Sequence, residues 1–113
     1  MKTTSYKDIE TAKNPHGVEV TKLHDNEYVQ VVHILLKAGE SLKKHSTPAD
    51  VFFYVLEGEG MVEIGDEKKK VFKDMLIDSP KDIPHCIYNE GSKDFRILVV
   101  KTPKPTPSQI FIT

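Results

Sequence analysis

Val51-Phe52-Phe53-Tyr54-Val55-Leu56-Glu57-Gly58-Glu59-Gly60-Met61-Val62-Glu63-Ile64-Gly65-Asp66 holds two apolar runs, split by a glycine-rich break and closed by a Gly-Asp pair. β-Branched and aromatic residues fill the first run, and such side chains suit a pleated, half-buried strand. Gly65-Asp66 after the second run is a hairpin signal. The punctuation continues on both sides. Upstream, Val29-Gln30-Val31-Val32-His33-Ile34-Leu35-Leu36 ends at Ala38-Gly39. Downstream come Val71-Phe72, Met75-Leu76-Ile77, Cys86-Ile87-Tyr88 and Phe95-Arg96-Ile97-Leu98-Val99-Val100. Turn signals return about every ten residues, the spacing of an all-β sandwich or barrel. Only Tyr6 to Lys13 has room for a turn or two of helix, and it lacks a clear apolar stripe.

The chain of 113 residues is long enough for one core and too short for two, so a single domain over 1–113 is expected. Its barrel core spans roughly 28–101, and a tail over 102–113 carries Pro103, Pro105 and Pro107. Hydrophobic residues at 38% and charged residues at 29% describe a soluble globular protein. Sixteen basic against seventeen acidic side chains leave a net charge of −1. Nothing in that balance pulls the chain onto nucleic acid or a membrane, so the expected partner is a small molecule. No apolar run approaches the roughly 20 residues that span a bilayer. The first residues lack a signal peptide's apolar stretch, and Cys86 alone makes no internal disulfide; both favour a cytoplasmic location. The alternating prolines favour an extended path. The apolar end Gln109-Ile110-Phe111-Ile112-Thr113 either docks on the barrel, pairs with a partner chain, or is a disordered terminus.

Five histidines are the first candidates for chemistry. His16 lies in a turn, Asn14-Pro15-His16-Gly17, and His24 in a charged stretch; both read as surface groups. His33 shares a strand face with Val31 and Leu35 on plain alternation, which predicts an interior histidine or pocket wall. His45 stands six residues after Gly39 and thirteen before Gly58. His85 follows Pro80 and Pro84 and precedes Asn89. In this pattern the sequence resembles the cupin superfamily, small proteins built on a double-stranded β-helix, or jelly-roll barrel. Gly39, His45, Thr47, Val51 and Gly58 fall in the register of the first cupin motif. Asp74, Pro80, Asp82, His85 and Asn89 fall in that of the second. Two motif glycines are replaced by Asp74 and Asp82, and aspartate can still serve a turn. The resemblance covers Gly39 to Asn89. It implies an all-β barrel of six to eight strands with His45 and His85 pointing into its mouth, and a homodimer. Strand Phe95 to Val100 or the tail Gln109 to Thr113 is then expected near the contact.

The resemblance also locates a metal site: its four ligand positions are His45, Thr47, Val51 and His85. Two imidazoles remain, as candidate ligands for Fe, Mn, Zn or Ni; Thr47 is a poor ligand and Val51 is none. A divalent ion usually asks for three or more protein ligands. Asp50 precedes the carboxylate position by one residue and alternates outward unless a bulge swings it in. Cys86 should face away from His85. Phe52, Phe53 and Tyr54 split between the two faces, and Lys68-Lys69-Lys70 reads as a solvated hairpin tip. His45, Thr47, Val51, Phe53, His85 and Ile87 together form the expected ligand pocket. The sequence thus supports a cupin that binds a small molecule without a complete metal site. The alternative is a metal-dependent cupin enzyme (a dioxygenase, isomerase or epimerase acting on a small polar substrate), and a third is a metal-free enzyme using a pocket histidine as acid or base.

Overall fold

A computed structural model describes residues 1–10 and 17–103. The expectations placed on Lys13, on His16 and on the tail from 104 onward lie outside the described residues. Eight strands follow a short 3-10 turn at Tyr6–Asp8: β1 (Glu19–Asp25), β2 (Gln30–Leu36), β3 (Val51–Glu57), β4 (Glu59–Ile64), β5 (Glu67–Phe72), β6 (Leu76–Ser79), β7 (His85–Tyr88) and β8 (Phe95–Lys101). All pairings between them are antiparallel. One sheet runs β1-β2-β8-β3-β6 and faces a second that runs β5-β4-β7. The expected all-β jelly-roll architecture is therefore observed.

Alternation places the core between the sheets. Val32, Ile34 and Leu36 from β2, Val51, Phe53 and Val55 from β3, and Phe95, Ile97 and Val99 from β8 all turn inward and are buried. Val62, Val71 and Ile87 meet them from the facing sheet. Three details depart from the sequence reading. β1 carries mostly polar residues, so its charges hid a strand that turns Val20 inward, with Val18 buried just before it. Lys68, Lys69 and Lys70 lie within β5 rather than at a hairpin tip. There they stud a sheet edge, where charge discourages pairing with another chain.

The third departure is His33. It is buried, but on the outer face of the five-stranded sheet, opposite to the core-facing Val32 and Ile34. The N-terminal segment covers it: the Tyr6 ring stacks on the imidazole at 3.9 Å between centroids and on the Arg96 guanidinium at 4.5 Å. Arg96 Nε donates to His33 Nε2 at 3.0 Å, and Arg96 pairs with Glu57. Strand alternation was right in placing His33 with Val31 and Leu35; the face they share is not the core.

The segment from Ser41 to His45 extends the smaller sheet alongside β7. Ser41 sits opposite Tyr88 and His45 opposite His85. Three residues on one side therefore span the same distance as two on the other, a β-bulge. Backbone bonds from Leu42 N to the Ile87 carbonyl and in both directions between His45 and His85 hold it. Plain alternation would put His45 on the face of Ser41. The extra residue turns it toward His85 instead.

Candidate functional site

The two aspartates in glycine positions make the turns that deliver His85. Asp74 and Asp82 have φ of 69° and 63°, the left-handed conformation that glycine usually supplies. Asp74 precedes β6, whose last residue is Ser79, and Asp82 lies in the loop from β6 to β7. Asp50 is exposed, as alternation predicts, and its Oδ1 accepts from Lys81 N at 2.9 Å. It fastens that loop and is no ligand.

His45 and His85 come together as expected. Their Nε2 atoms are 3.4 Å apart, with the rings edge to face at 4.7 Å. Both are oriented through Nδ1. His45 Nδ1 donates to the Lys43 carbonyl at 2.8 Å, so in the neutral ring Nε2 bears the lone pair. His85 Nδ1 is bonded to Ser79 Oγ at 2.8 Å. Thr47 Oγ1 lies 3.5 Å from His85 Nε2, and the Phe53 ring packs edge-on against His85 at 5.3 Å. Val51 and Ile87 are buried on the same inner faces as Phe53 and His85. His45 is half-buried while the other five are buried, so the pair is reached from the His45 side. Cys86 is on the opposite face of β7 from His85, as expected, and its thiol contacts the Leu42 carbonyl. Burial holds His85 largely neutral: desolvation, then the charges of His45 and Lys101, bring its pKa down to about 4.

Lys101 was missed in the sequence, where it only marks the end of the barrel core. It is 1% exposed. β8 turns Phe95, Ile97, Val99 and then Lys101 inward, and that alternation was the signal that could have found it. Across the sheet, Lys101 stands in register with Val51 of β3 on one side and Gln30 of β2 on the other, and Val51 with Ser79 of β6. Ser79, Val51, Lys101 and Gln30 thus form one buried row on the inner face. Burial, and then the charge of Lys22, lower the Lys101 pKa to about 8.

The donor set was tested for a metal. Two imidazole nitrogens 3.4 Å apart fit adjacent ligands of one ion, each oriented by a second hydrogen bond as metal-binding histidines are. The set stops there. Thr47 and Val51 add no ionised donor, and no cluster of three or more His, Cys, Asp or Glu suited to a metal exists among the described residues. The buried ammonium of Lys101 beside Val51 further opposes a cation. These residues do not fit a metal held by the protein alone.

A separate cleft of about 670 Å³ opens between the unpaired edges of β5 and β6, lined by Val62, Val71, Met75 and Ile77 with Lys69 and Asp78 at its rim. It shares no residue with the histidine pair.

Comparison with known proteins agrees with the fold. The family model described as Cupin domain matches residues 32–101. An uncharacterised protein of Methanocaldococcus jannaschii is 31% identical over 87 residues, covering 76% of this chain and 75% of the relative. Among solved structures, TT1209 from Thermus thermophilus superposes with a TM-score of 0.80 at 27% identity, covering 93% of this chain and all of that one. The solved structure of that same Methanocaldococcus jannaschii relative, described as an RmlC-like cupin with a double-stranded β-helix fold, gives 0.76 at 26% identity over 91% of each chain.

Proposed function

Since the chain belongs to the cupin family, we propose that its barrel binds a small molecule at His45 and His85, in a pocket completed by Thr47, Val51, Phe53 and Ile87, and that the family's metal position is degenerate here. The observation that carries this reading is the convergence of two Nε2 atoms at 3.4 Å beside the buried side chains of Thr47, Val51, Phe53 and Ile87. Small-molecule sites join apolar walls to a few oriented polar groups. Here the polar atoms are the two imidazoles and the Thr47 hydroxyl, each of which hydrogen-bonds a ligand without an ion. The test is metal content and metal titration. Protein purified without chelator or affinity tag is assayed for bound metal, then titrated calorimetrically with Fe(II), Mn(II), Zn(II) and Ni(II) beside His45→Ala and His85→Ala. Equal, weak uptake in all three proteins is the expected result. Tight, stoichiometric binding by the parent, lost in either variant, overturns it.

That second outcome belongs to the other reading, a metal-dependent enzyme such as a dioxygenase, isomerase or epimerase on a small polar substrate. The orientation of both imidazoles through Nδ1 favours it, since such hydrogen bonds aim a metal-binding ring. We place it second because a Thr and a Val stand where two further ligands would be. No helix among the described residues is long and apolar enough to cross a membrane, in keeping with a partner that is a small solute.

A further inference from the structure

We infer that Lys101 is the anchor for a carboxylate group of the ligand. The inference rests on the binding site proposed above and names the chemical class of what enters it. Lys101 is 1% exposed, on the inner face of β8, and no carboxylate pairs with it among the described residues. Burying an ammonium without an anion is costly, and a protein that keeps such a group has a use for its charge. Its cross-strand neighbour on β3 is Val51, the position at which the family pattern carries a glutamate. The inner wall has therefore lost a negative side chain and holds a positive one on the adjoining strand. An anion brought by the ligand restores the balance.

The neighbours fit that role. Ser79, two strands from Lys101 in the same row, is bonded to His85, and the Lys101 charge is felt at the His85 ring. Lys101 is thereby linked to the histidine pair along one inner row, through Val51 and Ser79. Gln30, buried next to Lys101 in the row, supplies an amide that can donate to a second carboxylate oxygen. A single ammonium among neutral groups matches a singly charged carboxylate better than a phosphate dianion, which asks for more positive charge. At the rim, Lys22 is paired with Asp25 at 3.2 Å. That pair leaves Lys101 as the interior cation.

The test uses the whole protein and small probes: acetate, propionate and benzoate, the corresponding neutral amides, and inorganic phosphate. Binding is followed by NMR at the Lys101 Cε–Hε and at the His45 and His85 rings. The carboxylates should produce saturable shifts at all three side chains, with the amides and phosphate at least tenfold weaker. Lys101→Met should weaken acetate at least tenfold, and Lys101→Arg should restore part of it. The comparison of acid with amide is made on the unaltered protein and so stands even if a variant folds poorly. Amides or phosphate binding as tightly as carboxylates would overturn the role of Lys101 while leaving a pocket at the histidines. Carboxylate binding that shifts Lys101 but is indifferent to His45→Ala and His85→Ala would keep the anchor and overturn the histidine pocket. Silence at all three groups overturns both.

Discussion

Asp74 and Asp82 show how much a single residue position can carry. Each holds a positive φ where the motif resemblance puts glycine, so the turn survives the loss of the residue type. Aspartate tolerates this conformation and a β-branched residue does not. Asp82→Val should therefore cost about 1–2 kcal/mol in urea unfolding, and should disturb His85, three residues on, more than Asp82→Gly does. The motif resemblance singled out His45, His85, Thr47 and Val51, because its register implies which residues share a strand face. It could not locate Lys101 or the cover over His33. A polar residue at a strand end, or on an outer face, is buried by what lies over it, and strand alternation holds no record of that. Tyr6, which covers His33, is far from it in sequence, and Arg96 farther still.

At the scale of elements, the turn from β3 to β4 joins the two sheets, and its glycines are required by contact. A Cβ at Gly60 would run into the ring of Phe95, itself fully buried on β8, and a Cβ at Gly58 into the Asp94 carbonyl. Gly60→Ala should destabilise by about 1–3 kcal/mol, measured by denaturant unfolding, because a packed ring must leave its rotamer. The Glu57-Gly58-Glu59-Gly60 break was visible in the sequence for this reason: the approach excludes side chains. β1 was not, since an edge strand with one face in water needs few apolar residues. The N-terminal 3-10 turn acts as a cover on the outer face through Tyr6. Burial and the nearby Arg96 hold the His33 pKa at about 4. Tyr6→Ala should bring it back toward the 6.5 of an exposed imidazole, read directly by NMR titration of the ring.

Among the described residues two histidines, His33 and His85, have pKa values near 4 when folded, against 6.5 for an exposed imidazole. Both are neutral in the native state and both take up protons more readily once the chain unfolds. Stability is then complete above pH 6.5 and falls as pH drops from 6.5 to about 4, by up to about 1.4 kcal/mol per pH unit for each histidine. It levels off below, where both states are protonated. Unfolding curves between pH 7 and pH 4 check this slope, and His33→Gln should remove about half of it. Assembly belongs to this scale too. β8 is paired on both sides, by β2 and β3, so a homodimer contact there uses its outer face. On that face Leu98 lies beside Tyr54, and Val100 beside Phe52 and Val31. Light scattering should report a dimer in solution, and Leu98→Glu should give a monomer; a monomeric parent at high concentration would sink the proposal.

The bulge between Ser41 and His45 makes the histidine pair a matter of counting as well as of identity. Deleting Lys44 gives a one-to-one ladder, with Leu42 opposite Ile87, Lys43 opposite Cys86 and His45 still opposite His85. His45 is then three residues from Ser41, so alternation by itself turns it inward and the pair should survive. A straight ladder through the unshortened segment would instead set His45 opposite Pro84 and turn it out to solvent. The bulge absorbs one residue of length, a dependence that a substitution scan leaves untouched.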